Sequence, residues 1–107
     1  MKELIESVKV LVQEEGTRSM IEHPLFNSTH EGYAVIKEEV EESTDELKYI
    51  NEELNSIWHH TKNNRQDMAL NHMKSLRADA INMAAESIQV AAMAQKFIDS
   101  FKEDVNE

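Results

Sequence analysis

Residues 29–60 read THEGYAVIKEEVEESTDELKYINEELNSIWHH. Tyr33, Ile36, Val40, Ser43, Leu47, Ile50, Leu54 and Ile57 recur in alternating steps of three and four. That spacing is a heptad seam, and it predicts one long α-helix with a packed helical partner. Ser28 and Glu31 have the spacing of a capping box, so the helix should begin near Thr29 and run to about His60.

The flanking segments fit the same class. Met1–Glu15 reads as a short amphipathic helix, with Leu4, Val8, Leu11 and Val12 on one face and Gly16 as its stop. Residues 16–28 hold the only proline, Pro24, and read as a loop with Leu25 and Phe26 packing inward. Lys62–Arg65 is a polar break with Asn63 and Asn64 as cap candidates. A third helix is expected from about residue 65 to 103. Leu70, Met73, Ala80, Ala84, Ala91, Ala94, Ile98 and Phe101 mark its seam, and Trp58 is expected in the core at the end of the second helix.

The expectation is therefore one all-α domain over residues 1–107, a bundle of long antiparallel helices. Around Ile81, Met83, Ile88, Val90 and Phe97 the third helix is apolar on most sides, and a helix of that kind needs neighbours all round. One chain supplies too few, so a homodimer or homotetramer should complete the bundle.

Composition narrows the function. A net charge of −10 argues against a nucleic-acid polymer as partner, since phosphate backbones are bound by Lys and Arg. The absence of cysteine excludes disulfides and thiol chemistry and fits a reducing, cytoplasmic setting. Met1–Glu15 mixes charges throughout, so no secretory signal is expected, and Asn82, Glu86 and Gln89 interrupt the most apolar stretch too often for a membrane span. No glycine-rich phosphate loop and no Gly-x-Ser-x-Gly occurs.

Within AINMAAESIQVAAMAQ, residues 80–95, Glu86 is the only formal charge. A buried carboxylate is costly unless it is paired, neutralised or bound to a metal. Asp79, Asn82, Glu86 and Gln89 follow at helical spacing on one stripe. Upstream, Lys37-Glu38-Glu39-Val40-Glu41-Glu42 puts several carboxylates on another helix, where like charges one turn apart repel. Two helices that each offer carboxylates point to a divalent cation between them. The histidines carry less: His59 and His60 are adjacent and diverge on a helix, and no Glu-x-x-His pair exists.

The stretch from His30 to Glu42, followed by Glu86-Ser87-Ile88-Gln89-Val90-Ala91-Ala92-Met93-Ala94, resembles the MazG-like branch of the all-α nucleoside triphosphate pyrophosphohydrolases. In that family an EExxE motif on one helix and an ExxD motif on a later one bind Mg²⁺. The resemblance spans about Thr29–Phe101 and implies Glu38, Glu39, Glu42 and Glu86 as metal ligands, for Mg²⁺ or Mn²⁺. It also implies a Glu39 or Glu42 carboxylate acting on the attacking water, a nucleoside triphosphate as substrate, and an oligomeric bundle. Gln89 stands where the family has Asp, which removes a charge and leaves an amide either to ligate through its oxygen or to donate a hydrogen bond to a phosphate oxygen. Lys37, Arg77 and Lys96 are the cations expected to meet phosphate. The alternative is a catalytically silent helical protein of the same kind that serves as a nucleotide-binding or protein-interaction module; Gln89 favours it, and the three retained carboxylates of EExxE disfavour it.

Overall fold

The computed structural model describes residues 1–106, with side chains described as far as Lys102. Three α-helices account for nearly all of it: α1 (Lys2–Glu22), α2 (Thr29–Lys62) and α3 (Gln66–Asn106). The chain is all-α, with no strand among the described residues. No helix of the described chain is long and apolar enough to cross a membrane.

α1 runs past Gly16, where the sequence suggested a stop. Arg18 bonds back to Glu15 and forward to Glu22 across that point, and the Thr17 hydroxyl donates to the Gln13 carbonyl. A mid-helix glycine costs only about 1 kcal/mol relative to Ala. Pro24 is the real terminator. A residue preceding proline is pushed out of the α region, and His23 is extended at φ −139°, ψ 122°. α2 begins as its capping residues dictate, with the Glu31 amide donating to Ser28 Oγ at 3.1 Å. It ends in a Schellman motif. The Arg65 amide donates to the His60 carbonyl, the Asn64 amide to the Thr61 carbonyl, and Asn64 takes the left-handed conformation at φ 55°.

The helices divide into two compact units. The first comprises residues 1–40 and 86–107, and its centre is aromatic. Phe26 and Ala92 are buried there, and Phe97 meets Phe101 edge-on at 5.1 Å. α2 approaches α3 so closely at Gly32 that a Cβ there would lie 2.6 Å from Phe97 Cδ2. The 23–28 loop is tied to α3: the Phe26 amide donates to Ser100 Oγ at 3.0 Å, and Lys96 Nζ donates to the His23 carbonyl at 3.1 Å. Lys96 is only 5% exposed and also lies over the Phe26 ring. A cation at the carbonyl end of α1 complements the helix dipole.

The second unit, residues 41–85, is a helical hairpin closed by the 63–65 turn. Ile57 is buried, and His60, 8% exposed, stacks on His72 at 5.2 Å. His72 Nδ1 lies 2.7 Å from Glu53 Oε2. Trp58, expected in the core, is instead exposed, with Lys62 over its ring. His60 Nδ1 has no hydrogen-bond partner among the described residues. Burial first, then the neighbouring His72, Arg65 and His59, holds the His60 pKa below its ordinary value of 6.5, and Asp67 opposes this only in part. Its neutral form is therefore favoured by folding. Stability from this group is complete above pH 6.5 and is lost as pH falls from there through the depressed folded pKa, because the unfolded chain takes the proton first. Melting temperatures measured between pH 7.5 and 5 should fall less steeply for His60→Leu than for the wild type. Parallel pH profiles would refute the assignment.

Burial also redraws the seams. On α2, Ile36, Ser43 and Ile50 are half-buried and Ile57 is buried, whereas Tyr33, Val40, Leu47 and Leu54 are exposed. On α3 the expected seam residues Ala80 and Phe101 are half-buried, whereas Leu70, Met73, Ala84, Ala91, Ala94 and Ile98 are exposed. A covered stripe runs through Ala69, His72, Leu76, Asp79, Met83, Glu86, Val90, Met93, Phe97 and Ser100, again in steps of three and four, and Ala80, Ile88, Gln89, Ala92, Lys96 and Phe101 widen it. Asn82, expected beside Glu86, faces outward.

Candidate metal centre

Glu86 belongs to the covered stripe of α3, and Gln89 follows it one turn later, so both side chains leave the helix on the same side. Across from them in the first unit, α2 presents Glu39; Glu42 is on the next turn of the same helix. Glu39 and Glu86 are half-buried and Glu42 is exposed. Each of the three carboxylates offers an oxygen, and these oxygens lie within 4.8 Å of one another. Two ligands on one Mg²⁺ stand at most about 4.2 Å apart, twice the usual 2.1 Å bond. A spread within 4.8 Å is of the order that ligands of one such ion require. Among the described residues no other set of carboxylate or imidazole groups converges in this way.

Gln89 is the polar partner of the centre. With its amide nitrogen turned inward it donates to Glu39 Oε2 at 2.9 Å and to Glu86 Oε2 at 3.2 Å. α1 adds a residue that the sequence reading left out. The Glu15 carboxyl is held below the usual carboxylate range, chiefly by its hydrogen bond with Arg18, and Gln89 makes a smaller contribution through a hydrogen bond of its own. Arg18 grips Glu15 through two of its nitrogens and donates to Glu22 Oε1 at 2.8 Å. The signal was present as Glu15-x-x-Arg18-x-x-x-Glu22, a helical ion-pair spacing. It was unreadable once α1 was ended at Gly16.

The other expected site residues are dispersed. Glu38 is exposed on α2 and is not part of the three-carboxylate group. Lys37 is exposed, with its ammonium 6.0 Å from the Tyr33 ring. Arg77 is exposed in the second unit. Lys96 is buried against Phe26 and the end of α1. In the first unit, a mostly apolar groove of about 560 Å³ runs beside α1, lined by Leu4, Ile5, Val8, Val12, Ala91 and Gln95 among others. Such a volume is in the range of small-molecule sites.

Comparison with protein-family models, curated proteins and solved structures gives no match to this chain.

Proposed function

We propose that this chain is a Mg²⁺-dependent nucleoside triphosphate pyrophosphohydrolase, with Mn²⁺ able to replace Mg²⁺. The observation that carries the reading is the approach of the Glu39, Glu42 and Glu86 oxygens to within 4.8 Å, from two helices. Oxygen-only donors of high negative charge suit a hard divalent cation. Bound there, the ion would supply charge neutralisation for the triphosphate and orient it. Glu39 and Glu86 hold the centre from opposite helices, and Gln89 adds a neutral donor. Glu42, the exposed member, is the carboxylate open to solvent and accepts the proton of the attacking water. Water oxygen bonds to the α-phosphorus, the α–β bridging P–O bond breaks, and the products are a nucleoside monophosphate and pyrophosphate. Lys37 is exposed close to this cluster on α2, and Arg77 and Lys96 are weaker phosphate candidates for the positions given above. The setting we assign is cytoplasmic, in keeping with the absence of cysteine.

The test is product analysis by phosphorus NMR on a panel of ribo- and deoxyribonucleoside triphosphates with Mg²⁺. Monophosphate and pyrophosphate appearing together, and not in the presence of EDTA, supports the reading. No turnover of any nucleotide, or release of orthophosphate alone, rejects it. One observation favours a second reading, a silent relative that binds without reacting: the Gln89 nitrogen can itself bridge Glu39 and Glu86, as a cation would. That form leaves the nucleotides intact.

We also propose a homodimer or homotetramer. Tyr33, Val40, Leu47 and Leu54, each seven residues from the next, form an exposed apolar row along α2. A single chain leaves that row in water, whereas a second copy buries it. Sedimentation should give two or four times the 12.3 kDa chain mass, and Leu47→Glu should shift it toward one. A monomeric wild type would refute this.

A further inference from the structure

Lys96 is buried, at 5% exposure, and its ammonium donates to one acceptor, the His23 carbonyl, with the Phe26 ring beside it. Among the described residues it forms no ion pair with a carboxylate. An ammonium has three donors and a full charge, and one carbonyl and a ring leave much of both unanswered. We propose that Lys96 is the counter-ion of an alkyl carboxylate whose apolar tail lies along the groove between α1 and α3.

The space beside Lys96 fits such a molecule. Lys96 lines a second cavity, of about 470 Å³, together with Val12, Gly16, Met20 and Ala92. Its Nζ reaches the carbonyl of His23, one turn on from Met20, which puts the charge at the Met20 end. Toward the other end, Val12, Gln13 and Gln95 are shared with the groove of about 560 Å³ described above, so the two spaces adjoin. There the walls are Leu4, Ile5, Val8 and Ala91, and Lys9 at the rim is already paired with Glu6 at 3.2 Å. From Met20 to Leu4 the helix spans about 24 Å. Gly16 keeps the passage open, since a Cβ at that position would meet no atom within 4 Å. All of these residues belong to the first unit.

The result is an elongated apolar channel with a buried positive charge at one end. A carboxylate head supplies the charge that the ammonium lacks, and an alkyl tail covers the apolar walls. A sugar or another ligand polar throughout would leave its hydroxyls unbonded against Val8, Val12 and Ala92. None of Glu39, Glu42 and Glu86 lines either space, so this inference and the metal-centre reading fail separately.

Calorimetric titration of the full chain with hexanoate, octanoate and decanoate, and with octanol as the uncharged analogue, tests the proposal. One decanoate should bind per chain, with affinity rising about fourfold for each added methylene. Lys96→Met keeps the stem and removes the charge; it should weaken decanoate at least about tenfold and leave octanol within about twofold. That substitution also releases the His23 carbonyl, so Gly16→Leu provides an independent test. Leucine suits a helix and fills the channel at the open point, so this variant should lose decanoate and octanol while melting no lower than wild type. Equal decanoate affinity in wild type and Lys96→Met overturns the proposal, as does undiminished binding in Gly16→Leu. A groove covered by a second copy takes up neither compound, and a wild type without saturable decanoate binding overturns the proposal as well.

Discussion

Replacing Glu86 with glutamine is expected to lower Mg²⁺-dependent pyrophosphate release by more than about a hundredfold, since changes one shell further out already cost 10–100-fold. The substitution preserves shape and helix propensity, so the loss reports charge and ligation. Glu86 supplies one of three carboxylate oxygens lying within 4.8 Å of one another. Removing one of three negative ligands weakens a site whose affinity follows its ligand charge. Glu39→Gln should behave alike. Glu38→Gln should fall within about threefold of wild type, well short of the 10–100-fold that even outer-shell ligands carry. The reason is that Glu38 is exposed and outside the group. The contrast separates geometry from motif, because EExxE by itself gives Glu38 the same standing as Glu39. Full activity in Glu86→Gln would remove α3 from the site and the proposal with it.

The second large effect concerns the two glycines, which should respond in opposite directions. At Gly32 an added Cβ meets Phe97 Cδ2 at 2.6 Å, Phe97 Cε2 at 3.0 Å and Phe26 Cδ2 at 3.1 Å. The Phe97 ring cannot withdraw freely, since it already contacts Phe101. Gly32→Val should destabilise by about 2–3 kcal/mol, an overpacking cost that exceeds the few tenths gained in helix propensity. On a unit of this size that is a fall of roughly 10–20 °C in melting temperature. Gly16 has nothing within 4 Å of its would-be Cβ and sits inside α1. Gly16→Ala should therefore stabilise by about 0.5–1 kcal/mol. Thermal unfolding of both variants by circular dichroism checks the pair. A tolerated Gly32→Val would mean that α2 and α3 do not approach at the Phe97 ring.

The all-α class and the start of α2 were legible in the sequence, because heptad spacing and a capping box are local signals. The Asn63–Asn64 turn was legible for the same reason. The end of α1 was not legible at Gly16, because Pro24 and not Gly16 terminates the helix. Glycine merely weakens a helix, whereas proline acts on the residue before it through a steric clash. The face of α3 was misread for a different reason. Counting apolar letters selects Ala84, Ala91 and Ala94, which bring little area, and by itself passes over the polar residues His72, Glu86 and Ser100. Those residues lie in the covered stripe with partners that satisfy them: Glu53 from α2 for His72, the Phe26 amide for Ser100, and Gln89 one turn along α3 for Glu86. Glu53 and Phe26 are distant in sequence from the residues they satisfy, so no window of residues could have supplied them.

Within the candidate site, Glu86 was legible as an anomaly: a lone charge in an apolar stretch, found half-buried and beside Glu39. Gln89 was legible as its neighbour by helical spacing. Glu15 and Arg18 were hidden by the misplaced helix end. The position of Lys96 was hidden too, since nothing local says that a lysine on α3 will reach the His23 carbonyl just past α1.

The central claim is that carboxylates from two helices hold one divalent ion between them, and titration of the chain with Mn²⁺ examines it most directly. The account predicts one bound ion per chain, displaced by excess Mg²⁺ and absent from both Glu39→Gln and Glu86→Gln. Binding that survives either substitution, or no saturable binding at all, would contradict it.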